Sequence, residues 1–586
     1  MSVFEIGEDA FLVDGQPFRI LSGAVHYFRI HPGQWEDRIA KARQFGLNTI
    51  DTYVAWNFHS RRPGEFATDG WRDLGRYLDL IQAAGMYAIV RPGPYICAEW
   101  ANAGLPGWLT MNQGIALRSA DPLYLAAVEQ YFHSVLPTIA ERQIHRGGNV
   151  ILVQVENEYG AYGSDSAYLR KLTSLIRQEG IEVPLFTCDQ ANEEMLKRGG
   201  LPELLRTGTF GSRSSERLAI LRRAQPTGPL LCSEYWNGWF DSWGQHHHTT
   251  DAEASAQDLD ELLGQGASVN FYPFHGGSNF GFTNGANDKG VYAPVVTSYD
   301  YDAPLAEDGT PGPKYAAFRD VLMRHGAVRD LAPARGRRPA DKVTVELRRG
   351  KRWHDVDWGA ARSYDHLPTL DEVDPAAVLA IYETQLAPGD EVLAFADVRD
   401  RAQLFLGQIE IGVIDRTRRE KAANLPLTGN GGLSIIVEDL GRVDYGSRLG
   451  EPKGLIGPAR TAKRVIDAWS VTAVDHESIP DLDVTGNGIA LDPSGPVQGP
   501  VFLWADFEAS AGDDLFLDVA QWGRGVAWVN GFCLGRYWSA GPTETLYVPG
   551  PVIRAGLNRL LVLELASCAK PQAGFVSGPV LGCVEA

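Results

Sequence analysis

The chain has 586 residues, of which 44% are apolar and 22% charged. This composition excludes a disordered, collagenous or coiled-coil protein and leaves room for several packed domains. The formal charge of −19 argues against nucleic acid or an anionic membrane as the main partner, because a phosphate-tracking face needs clustered Lys and Arg. In chain order, eight apolar runs rich in β-branched and aromatic residues read as strands, over 18–27, 49–55, 87–92, 150–156, 185–188, 207–210, 230–235 and 268–274. Between them, stretches with helical periodicity are expected over 35–45, 71–84, 123–142, 167–178, 214–223 and 251–264, with a short piece at 192–198 and a last helix at 313–323. This alternation predicts a (β/α)8 TIM barrel over 1–328. A doubly wound open sheet is the rival, but no GxGxxG follows the first strand, so a dinucleotide site is not supported.

The texture then changes. Residues 329–342 are rich in Arg, Pro and Ala and read as a linker, in which Arg335, Arg337 and Arg338 are expected to be solvated. Beyond it, short strand-like runs bounded by Gly, Pro, Asn and Asp predict two β-sandwich or jelly-roll domains, over 343–468 and 469–586.

No stretch of about 18 apolar residues is present, as a membrane-crossing helix would require. The acidic start Met1 to Asp9 has no apolar signal segment, so the expected compartment is the cytoplasm. The six cysteines, Cys97, Cys188, Cys232, Cys533, Cys568 and Cys583, are widely spaced without a CxxC pair, which fits neither a disulfide scaffold nor a zinc ribbon. His246-His247-His248 is expected on an exposed loop rather than on a metal, because adjacent residues diverge and no second ligand cluster is evident. Cys232 is expected as a buried small hydrophobe on the same side of its strand as Glu234.

Chemistry on such a barrel sits at the C-terminal strand ends. Strand four runs into Glu156-Asn157-Glu158 and strand seven into Ser233-Glu234-Tyr235-Trp236. Two carboxylates facing each other across a mouth are the apparatus of glycoside hydrolysis, one protonated to donate to the leaving oxygen and one ionised to attack. Their mutual field raises the pKa of one of them. Other strand ends supply Tyr53, Trp56, the run Arg91 to Trp100, and the loop Ser298-Tyr299-Asp300-Tyr301. For each aromatic singly, core or rim packing is the plainer reading.

The segments Ala24-Val25-His26-Tyr27-Phe28-Arg29, Thr52-Tyr53-Val54-Ala55-Trp56-Asn57-Phe58-His59, Arg91 to Trp100, Val155 to Gly160, Ser233 to Trp239 and Ser298 to Pro304 resemble the β-galactosidases of glycoside hydrolase family 35. The resemblance continues into the tail at Gly525 to Gly531 and Leu534 to Trp538, which are similar to that family's final galactose-binding-like domain. It implies a retaining, cofactor-free and metal-free enzyme acting on a terminal β-galactoside, with Glu158 as acid/base and Glu234 as nucleophile. It further implies Tyr53, Cys97, Ala98, Glu99, Asn157 and Tyr301 around the galactose, with Trp239 and Trp243 towards the next sugar. The run Ala101 to Pro106 lacks the acidic residue and Gly pair that members often carry after Glu-Trp, which concerns the rim of the pocket. The chain resembles the compact bacterial members, some of which favour β-1,3-linked galactose. Two alternatives stay open: another exo-β-glycosidase on the same frame, such as a glucosaminidase or glucuronidase, and a carbohydrate-binding protein without catalysis. The tail domains could bind sugar, form a homodimer interface or brace the barrel mouth.

Overall fold

The computed structural model describes residues 2–111, 114–327, 331–336, 342–426, 431–474, 476–482, 484, 488–492 and 494–585. Eight parallel strands close into a barrel: β1 Leu21–Val25, β2 Thr49–Tyr53, β3 Tyr87–Arg91, β4 Val150–Gln154, β5 Leu185–Gln190, β6 Leu205–Phe210, β7 Leu231–Trp236 and β8 Ser268–His275. Each of the eight runs read from the sequence overlaps one of them. The strands are buried almost throughout, because helices cover their outer faces while side chains fill the interior. The principal helices are α1 Trp35–Phe45, α2 Leu74–Ala83, α3 Pro122–Ala140, α4 Ser166–Gln178, α5 Glu193–Gly199, α6 Ser214–Ala224, α7 Ala252–Gly264 and α8 Pro313–Arg324. Their starts are set chemically. The Asp73, Asp121, Asp165, Asn192 and Asp251 side chains each accept from a first-turn N–H, of α2, α3, α4, α5 and α7 respectively. A small antiparallel sheet, Phe4–Ile6, Phe11–Val13 and Gln16–Phe18, precedes the barrel. No helix among the described residues is long and apolar enough to cross a membrane.

Two β-sandwiches follow. In the middle one, a six-stranded and a four-stranded sheet enclose a core that includes Tyr382, Leu393, Ile435 and Ala459. In the last one, a six-stranded and a four-stranded sheet enclose Leu503, Leu517, Val529 and Phe575. The boundaries expected at 343 and 468 need correction. Val343–Glu346 pairs with Gln572–Val576, and Arg349–Arg352 with Val501–Ala509, so both early strands belong to the last sandwich. Trp469–Val474 pairs with Leu379–Leu386, so it belongs to the middle one. Strand pairing between segments so distant in the chain leaves no local mark in a sequence. Of the expected linker, Arg337 and Arg338 lie outside the described residues, and Arg335 is exposed.

The middle sandwich is locked onto the barrel mouth by strand pairing. After β8, the hairpin Gly285–Asp288 and Tyr292–Pro294 extends from the barrel, and Gly285–Asp288 pairs in parallel with Arg442–Tyr445 of the middle sandwich. Below this joint, Lys453 Nζ donates to Asp400 and Gly441, and Arg416 reaches Asp400 at 2.8 Å and Asp288 at 3.0 Å.

Candidate active site

Glu158 lies four residues beyond β4, and the chain reaches it through a left-handed step at Glu156 (φ 60°), with Glu158 itself at φ 45°. The two carboxylates of that turn part company there. Glu156 is gripped by Arg118, whose Nε and Nη2 donate at 2.9 and 2.8 Å, and by Tyr168 Oη at 3.0 Å. Glu158 faces the mouth, where Thr209 Oγ1 at the end of β6 donates to it at 3.2 Å. Among the described residues no cation is ion-paired with it. Burial pushes its carboxyl up to about 7, and the nearby Glu234 charge adds to the rise.

Glu234 on β7 is surrounded by donors. Arg91 Nη2 donates to Oε1 at 2.7 Å, Tyr53 Oη also donates to Oε1, and Trp236 Nε1 donates to Oε2 at 3.1 Å. Donors on both oxygens suit an ionised carboxylate, which only accepts. A register shift in β7 makes this possible. Ser233 and Glu234 are consecutive, yet both reach Cys188 Sγ, at 3.1 and 3.9 Å, so the usual alternation of sides is broken. Cys232, expected on the side of Glu234, is buried as anticipated but turns to the Phe210 carbonyl at 3.7 Å, and Cys188 takes the place beside the carboxylate.

Asn157 sits between the two glutamates. Its Oδ1 accepts from Arg91 Nη2 at 3.1 Å and Gln154 Nε2 at 2.9 Å, and lies 2.9 Å from Tyr53 Oη, whose single proton is shared with Glu234. With the oxygen so engaged, the amide presents its NH2 for a hydroxyl in the cavity. Across from it, Cys97, Ala98 and Glu99 take φ values of 56°, 57° and 47°, three successive residues in a region that side-chain-bearing residues avoid. The surroundings hold the strained turn: Arg29 Nη2 donates to the Ala98 carbonyl, and Gly285 N donates to the Glu99 carbonyl at 2.9 Å. The turn aims the Glu99 carboxyl inward, where Tyr299 Oη donates to it. Burial pushes that carboxyl up to about 7, with the Tyr299 hydrogen bond and Arg29 opposing and Glu234 assisting.

One cavity joins these groups: Tyr53, Cys97, Ala98, Glu99, Asn157, Glu158, Glu234, Trp239 and Tyr301 all line it. Trp239 is 37% exposed, stacks on Phe240 at 5.2 Å, and forms a platform at the rim. Trp243 does not belong to the cavity. It lies against Trp538 of the last sandwich, ring centres 6.3 Å apart, in a domain contact that spacing from Trp239 could not disclose.

Besides Phe240, five further residues line the cavity that the sequence reading did not single out. Gln190 ends β5 and Tyr272 lies on β8, positions that the strand-end rule would have found. Asn287 and Lys289 come from the hairpin after β8, and Tyr445 comes from the middle sandwich. The pairing of Asn287 with Tyr445 carries that ring to the barrel mouth. Lys289 lies over the Tyr445 ring at 5.0 Å and is exposed.

His247 corrects the exposed-loop expectation. It is buried, with Nδ1 2.7 Å from Asp241, and His248 Nδ1 is 3.0 Å from the same carboxylate. His246 is exposed. No cluster of three His, Cys, Asp or Glu that could hold a metal occurs among the described residues.

Residues 10–325 match the family described as Glycosyl hydrolases family 35. Residues 368–475 match "Beta-galactosidase, first all-beta domain", and residues 500–558 match "Beta-galactosidase, galactose-binding domain". The Beta-galactosidase-1-like protein of Mus musculus is 38% identical over 595 residues, covering 98% of this chain and 91% of its own. The Beta-galactosidase of Mus musculus is 38% identical over 618 residues, covering 98% and 94%. That of Homo sapiens is 38% identical over 621 residues, covering 99% and 91%.

Proposed function

The chain belongs to glycosyl hydrolase family 35 and is a β-galactosidase, and we propose that it removes terminal, non-reducing β-D-galactose with retention of anomeric configuration. Glu234 attacks the anomeric carbon and forms a galactosyl-enzyme. Glu158 protonates the departing glycosidic oxygen and then takes a proton from the incoming water. The observation that carries this division of labour is the contrast between the two carboxyls of one cavity. Glu234 accepts from a guanidinium, a phenol and an indole, whereas Glu158, among the described residues, accepts only from the Thr209 hydroxyl and stands near 7. A carboxyl near 7 is a competent acid and a competent base at neutral pH. Glu99, Asn157 and Tyr53 would hold the galactose hydroxyls, and the Trp239 platform would receive the next sugar.

A preference for β-1,3 linkages is part of the same reading, resting on the resemblance to compact members. A panel of p-nitrophenyl β-glycosides tests the sugar. Release from the galactoside and not from the glucosaminide or glucuronide is expected, whereas release from another member in its place would overturn the galactose assignment. Proton NMR of early hydrolysis tests retention. β-Galactose should appear first and mutarotate later, and α-galactose appearing first would refute the double displacement. The β-1,3, β-1,4 and β-1,6 galactosyl disaccharides then rank the linkages.

A further inference from the structure

Behind the catalytic cavity lies a second cavity of about 360 Å³, where the barrel, the middle sandwich and the last sandwich meet. Barrel segments contribute Phe58, Trp71 and Phe282 to its wall, and the last sandwich contributes Trp528 and Phe532. Phe58, Trp71, Phe282 and Phe532 are each half-buried, so ring surface remains available to an occupant. Trp71 and Phe532 stack on each other, centres 5.4 Å apart.

Polar atoms of this wall are left without a hydrogen-bond partner. Trp528 is only 1% exposed, and its Nε1 has no acceptor among the described residues. His476 Nδ1 is likewise buried and unpartnered, its ring packed edge-on against Phe282 at 4.9 Å. A buried indole N–H without an acceptor is costly, and such orphans call for a ligand or ordered water. The wall carries no single charge sign. Arg442 is within 2.7 Å of Asp371, and Arg61 is ion-paired with Glu477. Ring faces, orphaned hydrogen-bonding atoms and balanced charge are the complement of a neutral pyranose, which has apolar C–H faces and a rim of hydroxyls.

We propose that this three-domain cavity is a second binding site for a neutral saccharide, packed on the Trp71 and Phe532 rings and hydrogen-bonded by Trp528 Nε1. The site shares a wall with the catalytic cavity. Trp100 and Ala101 line the second cavity, while Cys97, Ala98 and Glu99 of the same strained segment line the first. Asn57, also on the second wall, accepts from Trp100 Nε1 at 2.8 Å and donates to the Ala101 carbonyl at 2.7 Å. An occupant that steadies Trp100 and Asn57 therefore steadies the segment that carries Glu99. The proposal does not require the catalytic cavity to hold galactose.

Lactose titrated into the full-length Glu234→Gln enzyme, which removes turnover, separates the two sites by hydrogen–deuterium exchange. Peptides over 58–72 and 528–533 should become protected with their own midpoint, distinct from that of peptides over 153–160 and 231–239. Trp528→Phe keeps an aromatic ring and removes the N–H donor, and should weaken the second midpoint about tenfold while leaving the first in place. Phe282→Ala, on a half-buried residue, provides a second variant with the same expectation. Absence of lactose-dependent protection at 58–72 and 528–533 would overturn the proposal. So would protection there that follows the catalytic peptides and ignores both substitutions. Failure of lactose to protect only the catalytic peptides would count against the galactosidase reading and leave the second site standing.

Discussion

Two regions of this molecule bury the same kinds of side chain and treat them in opposite ways. In the cavity that holds Glu158 and Glu234, Glu99 and Glu158 are buried with too few cations, and burial lifts both to about 7. At the joint between the barrel hairpin and the middle sandwich, Asp439 is as deeply buried, and burial alone would lift it too. There Lys453, Arg442 and Arg536 outweigh burial and bring it down to about 2. Glu438 is lowered in the same way by Arg524, Arg401 and Arg536. The comparison teaches that burial alone does not decide which way a carboxyl is shifted. What decides is how much counter-charge the fold supplies, and it outweighs burial at the joint but not at Glu99 or Glu158.

The comparison can be broken or sharpened by substitution, and the largest effect is expected at Glu234. Glu234→Gln should lower kcat/KM for p-nitrophenyl β-galactoside by about 10⁴-fold or more, with an unchanged circular dichroism spectrum. A loss of only a few-fold would remove Glu234 from the chemistry.

The joint should fail through stability rather than rate. Lys453→Met leaves Asp400 and Asp439 buried beside a missing ammonium. Breaking one partner of a buried pair costs ~3–5 kcal/mol, so denaturant midpoints should fall markedly at pH 7. A midpoint equal to that of the parent would show that the remaining arginines suffice.

Opposite pKa directions give opposite pH signatures. The Glu99 carboxyl is raised, from 4.5 to about 7, so the folded state holds its proton where the unfolded chain has lost it. Its contribution to stability is therefore full below pH 4.5 and is lost as pH rises through about 7. Glu99→Gln should accordingly raise the unfolding temperature at pH 8, by an amount equivalent to up to ~3 kcal/mol, and the gain should vanish by pH 4. Asp439 is lowered, from 3.8 to about 2, so its contribution is present above 3.8 and lost as pH falls through about 2. Asp439→Asn should destabilise at pH 7 by ~2 kcal/mol, a difference that fades in acid. The same sign for both variants at pH 8 would break the comparison.

The smallest effect expected is on the shape of the pH profile. The alkaline limb of kcat/KM should report Glu158 losing its proton near 7. The Thr209 hydroxyl stabilises the Glu158 carboxylate, so Thr209→Val should move that limb upward by a fraction of a pH unit. No movement, or movement downward, would separate Thr209 from the acid.

Much of this was legible in the sequence for a physical reason. Barrel strands are continuous apolar runs, and a Glu at the end of such a run is conspicuous, which exposed Glu158 and Glu234 together with the order of all eight strands. The twisted run Cys97 to Glu99 was recognisable as a motif, but not its three left-handed residues, because they are imposed by Arg29 and the 285 strand from elsewhere in the chain. Tyr445 was invisible for the same reason, since only a pairing between distant strands carries it to the mouth. Trp243 misled because the resemblance set it beside Trp239 at the pocket, whereas the last sandwich claims its ring through Trp538. His247 misled because its partner Asp241 makes burial tolerable.

The central claim is that the carboxylate held by Arg91, Tyr53 and Trp236 is the nucleophile. The most direct test is to inactivate the enzyme with a 2-deoxy-2-fluoro-β-galactosyl fluoride, digest it and sequence the labelled peptide by mass spectrometry. The account predicts a single fluorogalactosyl group on Glu234. A label on Glu158 or Glu99 would contradict it.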